Sequence, residues 1–114
     1  AVPRGSILKA VRRFEEIAAS NGKRLIAFGH AGDGNIHANL HYDASDADDA
    51  RRTQKTHHEL DAAALECGGS LSGEHGGGCL KEVGKQLGQK EHALMLRLRR
   101  VFDPNGILNP GKGY

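Results

Sequence analysis

LIAFGHAGDGNIHANLHY, residues 25–42, decides the fold. Leu25–Phe28 is an apolar run of strand length, and Asn35–Tyr42 reads as a second strand. Between them, Gly29-His30-Ala31-Gly32-Asp33-Gly34 carries an Asp-Gly turn signal, so the two runs should form a hairpin. Residues two apart on a strand share a face. His37, Asn39 and His41 therefore fall on one side, and Ile36, Ala38 and Leu40 on the other. The apolar side is the expected core face, and the His/Asn side faces something polar.

Upstream, Ser6 is placed to cap a helix in which Ile7, Val11, Phe14 and Ala18 recur at helical spacing, with Asn21-Gly22 as its stop. Downstream, Ser45 with Asp48 resembles a capping box for a long helix to about Cys67, with Ala50, Leu60, Ala64 and Cys67 as its buried stripe. Gly68-Gly69 ends that helix, and Ser70–Gly73 reads as short and extended. A glycine-flanked loop carries Glu74 and His75. A short helix is expected around Lys81–Leu87, and another from Glu91 to Phe102 with Leu94, Leu98 and Val101 inward. Pro104 cannot continue a helix, so Asp103-Pro104-Asn105-Gly106 must turn. Residues 107–114 read as an ordered tail laid on something larger. The order predicts an α+β fold, an antiparallel sheet with helices on one face. So few strands suggest that further strands lie upstream.

The 114 residues fit a single domain, 1–114. Aromatics make up 4%, so Ala, Leu, Ile and Val must build the core. Of the sixteen glycines, twelve cluster in Gly29–Gly34, Gly68–Gly78 and Gly106–Gly113, which points to tight turns rather than a linker. A net charge of +2 is too mild for a nucleic-acid or membrane-surface partner. No apolar run approaches the roughly 20 residues of a transmembrane helix. Cys67 and Cys79 lack zinc-knuckle spacing and read as reduced thiols of a cytoplasmic protein. Ala1–Gly5 has no initiator Met and reads as an appended remnant or as a cut through a longer chain.

Seven histidines are the unusual count. His30 and His37 flank the glycine-rich turn, and a hairpin would let their imidazoles meet. Two imidazoles and one carboxylate make a three-ligand site with open positions, the pattern of catalytic metals. Glu74 is the best carboxylate, and His75 beside it is available for proton transfer. A histidine at a strand end is more often a hydrogen-bonded surface group, so spacing leaves both readings open. His57 and His58 sit among charges and read as solvent-facing. His41 shares the face of His37 but lies too far along the strand to bind the same ion.

Three motifs bear on that choice. GHAGDGNIHANL (29–40), GGSLSGEHGGG (68–78) and RVFDPNGILNPGK (100–112) together resemble the C-terminal domain of FAD-linked oxidases of the vanillyl-alcohol oxidase type. Within it, the motifs are most similar to the D-lactate dehydrogenase, D-2-hydroxyglutarate dehydrogenase and glycolate oxidase flavin-subunit group. The resemblance implies a ferredoxin-like half of such a domain and a C-terminal fragment of a longer flavoenzyme. It implies a divalent metal (zinc, manganese or iron) on His30, His37 and Glu74. It makes His75 the catalytic base and a substrate contact, Asn39 a second substrate contact, and Asn109 a residue near the flavin ring. The segment 103–114 should pack near that flavin, and Lys81 matches a lysine that follows the Glu-His motif. The family carries a larger apolar residue where Gly77 stands here, which loosens the loop holding Glu74 and His75.

The implied reaction is oxidation of a D-2-hydroxy acid to the 2-oxo acid. The sequence has no glycine-rich pyrophosphate loop, so FAD should be bound mainly by an N-terminal domain, and the fragment alone should be inactive. Expected partners are the hydroxy acid, the rest of the flavoenzyme, and partner subunits or a second copy. The expected location is cytoplasmic or peripheral at the inner membrane. Two alternatives stay open: a hydrolase-like module in which the same His/His/Glu set activates water, and a non-catalytic assembly domain using unpaired strand edges.

Overall fold

The computed structural model describes residues 1–78 and 86–112. The expected Lys81–Leu87 helix falls largely outside them, as do Lys81 itself and Cys79. The chain divides into two compact units, Ala1–Gly73 and Glu74–Tyr114. Among the described residues, a two-stranded antiparallel sheet and three helices form an α+β fold.

In the first unit, a single 3-10 turn (Arg4–Ser6) leads into α1, Ile7–Ser20. Ser6 was expected to cap α1 with its hydroxyl; no such bond forms, because Ser6 is already wound into that turn. Phe14 and Ala18 of α1 are buried as expected and Ile7 packs on the core, while Ala10 and Ile17 complete the buried stripe and Val11 lies at its edge. Strand β1 (Arg24–His30) pairs with β2 (Asn35–His41), with Leu25 opposite Leu40, Ala27 opposite Ala38 and Gly29 opposite Ile36. Leu25, Ile36, Ala38 and Leu40 pack on a core of Val2, Ala10, Phe14, Ile17, Leu60, Ala63 and Ala64. The predicted core face of the hairpin is therefore the observed one.

Helix α2 (Ala47–Glu66) is capped by Asp46, not Ser45. The Asp46 carboxylate accepts from the N–H groups of Asp48 and Asp49, and acidic groups in the first turn suit the positive end of the helix. Ser45 is drawn instead to Asp43, donating both its N–H and its hydroxyl to one carboxylate oxygen. Ala50 and Cys67 are only half-buried; Thr53 and Thr56 take the buried positions, and their hydroxyls donate to the carbonyls of Asp49 and Arg52. His57 and His58 are exposed, as expected. No third strand forms at Ser70–Gly73; Ser70 exchanges two hydrogen bonds with Ala1, and Leu71 is buried. Val2 is in the core and donates its N–H to Gly34 O at 2.8 Å, which ties the first residues into this unit.

In the second unit, α3 spans Gln89–Phe102. Leu94, Leu98 and Val101 were expected inward but are exposed at 54%, 51% and 74%. Their spacing is helical, but helical spacing marks an apolar face without burying it.

One ion pair joins the strand layer to α2. Lys23, buried at the start of β1, donates from Nζ to Asp49 Oδ1 at 2.7 Å. The Lys23 ammonium holds the Asp49 carboxyl well below its usual range, helped by the Asp43 N–H and Arg52. A carboxyl lowered by folding stabilises the fold above its unfolded pKa and loses that contribution as the pH falls through the folded value. Thermal melts from neutrality to below about pH 4, the unfolded carboxylate range, should therefore show the wild type losing stability with acid. Asp49→Asn should melt lower at neutral pH and depend less on acid; an unchanged acid slope in that variant would refute the assignment.

Candidate active site

The face of the hairpin turned away from the core carries Arg24, Ile26, Phe28 and His30 on β1 and Asn35, His37, Asn39 and His41 on β2. The turn at 31–34 closes with Asp33 N–H on His30 O, and Gly34 has a φ of 73°, the left-handed conformation glycine adopts readily. A Cβ at Gly34 would also collide with the Val2 carbonyl. This turn makes His30 the cross-strand partner of Asn35 and sets Phe28 opposite His37.

The structure brings His30 and His37 together. Their rings meet edge to face, with centroids 5.9 Å apart and planes at 81°. Each offers a ring nitrogen within 4.8 Å of the other's. Two nitrogens bound to one ion at about 2.0–2.1 Å sit roughly 3.3 Å apart in a tetrahedron. A small rotation of the exposed His30 ring reaches that separation, so the donor set and spacing fit a divalent ion. Phe28 stacks on the other ring of the pair, its centroid 4.9 Å from that of His37 and the planes at 29°. Asn39 is exposed on the same face, opposite Ile26. His41 also lies there, but four residues beyond His37, about 13 Å along the strand.

Asn35 is buried at the turn end of β2. Gly73 lies against it so closely that a Cβ at 73 would strike the Asn35 side-chain oxygen. The next residue in the chain is Glu74. In the second unit, Glu74 and His75 form their own pair, with His75 Nε2 3.3 Å from Glu74 Oε1. Both are exposed, on a loop where Gly76 and Gly78 take positive φ.

Asn109 sits in a tail tied back onto the end of α3. Asp103, 6% exposed, accepts from the N–H groups of Ile107 and Leu108 at 2.9 and 2.8 Å. Arg99 donates to the carbonyls of Leu108, Asn109 and Lys112. Within this clamp Asn109 holds a φ of 48°, unusual for a residue other than glycine. Sequence reading missed the clamp, although an Asp at a helix end followed by Pro-Asn-Gly is a recognisable signal for a carboxylate that gathers loop N–H groups. It missed Phe28 too, although period two along β1 places residues 28 and 30 on one face.

An exposed His30 and a half-buried His37, paired outside the core near the turn of the hairpin, suit a ligand-binding class of module. Comparison with known families makes that class specific: the model described as FAD linked oxidases, C-terminal domain, matches residues 1–113, and the chain belongs to that family. The first residues are thus family sequence, not an appended remnant. The chain is 38% identical to the glycolate oxidase subunit GlcD of Bacillus subtilis over 99% of its own length and 24% of the relative's. It is 39% identical to a D-lactate dehydrogenase of Archaeoglobus fulgidus over 97% of its length and 25% of the relative's. It is 32% identical to the mitochondrial D-lactate dehydrogenase (cytochrome) of Arabidopsis thaliana, over 97% and 20%. The chain therefore spans a quarter or less of the length of these relatives. Among the described residues no helix is long and apolar enough to cross a membrane.

The Leu108 N–H, more than any other group, lowers the Asp103 carboxyl. By the sign rule applied to Asp49, the tail is held above the ordinary carboxylate range and released on acidification. Asp103→Ala should raise amide hydrogen exchange at Ile107 and Leu108 on the order of tenfold at neutral pH, while amides in the middle of α1 stay protected. Unchanged exchange at both residues would show that the tail is held by something else.

Proposed function

We propose that this chain is the metal- and substrate-binding part of an FAD-dependent dehydrogenase that oxidises a D-2-hydroxy acid of lactate, glycolate or 2-hydroxyglutarate type to the 2-oxo acid. The observation that carries the reading is the His30–His37 pair, with ring nitrogens within 4.8 Å of each other. The names of the relatives support the substrate class, since glycolate and D-lactate are both 2-hydroxy acids. The family match favours the flavoenzyme over the hydrolase-like and assembly alternatives.

In this reading His30, His37 and Glu74 hold a divalent ion, either zinc, manganese or iron. Glu74 follows directly on Gly73, which is packed against the cross-strand partner of His30. One peptide step moves the chain only about 3.8 Å, so connectivity favours Glu74 over more distant carboxylates. An ion bound there supplies Lewis acidity toward the substrate hydroxyl and carboxylate oxygens. Asn39, on the same hairpin face, donates its amide to the substrate carboxylate. His75, whose Nε2 lies 3.3 Å from Glu74 Oε1, takes the hydroxyl proton. Bound FAD supplies the hydride acceptor. With no glycine-rich pyrophosphate loop in these 114 residues, FAD is held mainly by sequence outside them, and Asn109 lies on the flavin side. Partner subunits or a second copy, and a place in the cytoplasm or at the inner membrane surface, belong to the same reading.

The test uses the full-length protein. His75→Ala should lower turnover of the hydroxy acid by about 10²–10⁴-fold, the usual worth of a positioned base, and leave FAD bound. His30→Ala and His37→Ala should each lose the metal in elemental analysis. Near-normal turnover in the first variant removes the assigned base, and full metal occupancy in the other two removes the metal site.

A further inference from the structure

The outer face of the hairpin holds one large apolar ring with no place in the core. Phe28 is 56% exposed, and its side chain points away from the buried face. Burial therefore does not account for a phenylalanine at this position. What Phe28 touches is His37, its direct cross-strand partner, in a stacked geometry with centroids 4.9 Å apart. His37 thus has a phenyl ring along one face and the His30 ring set edge-on beside it.

We propose that Phe28 is a positioning residue for His37, fixing the plane of its imidazole and favouring its ligand-bound form. The proposal rests on the metal reading given above. Two physical effects carry it. An imidazole has its nitrogens in the ring plane, so stacking against Phe28 restricts the directions in which those nitrogens can point. The second effect is electronic. An imidazole bound to a divalent ion carries part of the ion's positive charge, and a positive ring over a phenyl face is attracted by the negative face of that phenyl. The stack is therefore stronger with metal than without it, and by linkage the metal is held more tightly when the stack is present. Ile26, the next outward residue of β1, pairs with Asn39 and cannot take this role.

The test is zinc affinity of the full-length protein, first stripped of metal and then titrated in competition with a chromophoric chelator. Phe28→Leu keeps an apolar side chain on the face but removes the ring; Phe28→Tyr keeps the ring. Phe28→Leu should bind zinc about tenfold more weakly, the lower end of what an outer-shell partner contributes, with Phe28→Tyr close to wild type. The melting temperature without metal should be nearly the same in all three, and the rise on adding zinc should be smallest in Phe28→Leu. A purely structural Phe28 would lower the metal-free melting temperature and leave the rise intact, which would overturn the proposal. Unchanged zinc affinity in Phe28→Leu, or an equal loss in Phe28→Tyr, would overturn it as well. His37→Ala run alongside separates the two readings. If it keeps its zinc, the metal reading falls and takes this one with it. If it loses zinc while Phe28→Leu does not, only the role of Phe28 falls.

Discussion

The register of the hairpin is the constraint on which the first unit depends. Side chains alternate along a strand with a period of two, so a slip of one residue would turn Ile36, Ala38 and Leu40 outward and bury His37 and Asn39. Three separate features hold the register. The turn at 31–34 closes on a glycine in the left-handed region, and Val2 binds the carbonyl of that same glycine. The apolar face packs on core residues of α1 and α2. At the far end, the buried Lys23 is tied to Asp49 on α2, which fixes where β1 begins. Core formation and placement of the histidines are thus a single event. The apolar contacts that pay for folding also set His30 beside His37.

Much of this could be read from the chain itself. The hairpin, its core face and the His30–His37 meeting follow from alternation and an Asp-Gly turn, both local rules. The features that could not be read are those settled by competition between neighbours. Ser45 and Asp46 both suit a helix N-cap, and Asp43 decides the matter by engaging Ser45. Thr53 and Thr56 look like surface residues in sequence, yet a helix lets each hydroxyl satisfy itself on the carbonyl four residues back, so both can be buried at little cost. The α3 stripe failed for a different reason. Leu94, Leu98 and Val101 have the spacing of a buried face, but spacing identifies a face and not what covers it.

Two modes of positioning are present among the candidate residues. His30 and His37 sit on paired strands, where backbone hydrogen bonds and the packed opposite face fix both Cα positions. Glu74 and His75 sit on a glycine-rich loop of the second unit, where carboxylate and imidazole contact each other. Paired strands give side chains rigidity, and an exposed loop gives them reach. Gly77 is consistent with this division. A bulkier apolar residue there would add packing to the loop that glycine does not.

The tail adds a third mode, in which polar groups hold a segment that has almost no apolar packing of its own. Ile107 and Leu108 are exposed at 73% and 58%, so burial does not order them. Asp103 gathers two N–H groups and Arg99 three carbonyls, and between them they satisfy the backbone of a stretch too short for a helix and unpaired as a strand. A segment held this way presents its apolar side chains outward and keeps Asn109 in the left-handed backbone region. Asparagine enters the left-handed region more readily than most non-glycine residues, and here the hydrogen bonds of one carboxylate and one guanidinium hold the backbone around it. That makes the hydrogen bonds of Asp103 and Arg99, rather than any hydrophobic contact, the origin of the Asn109 geometry.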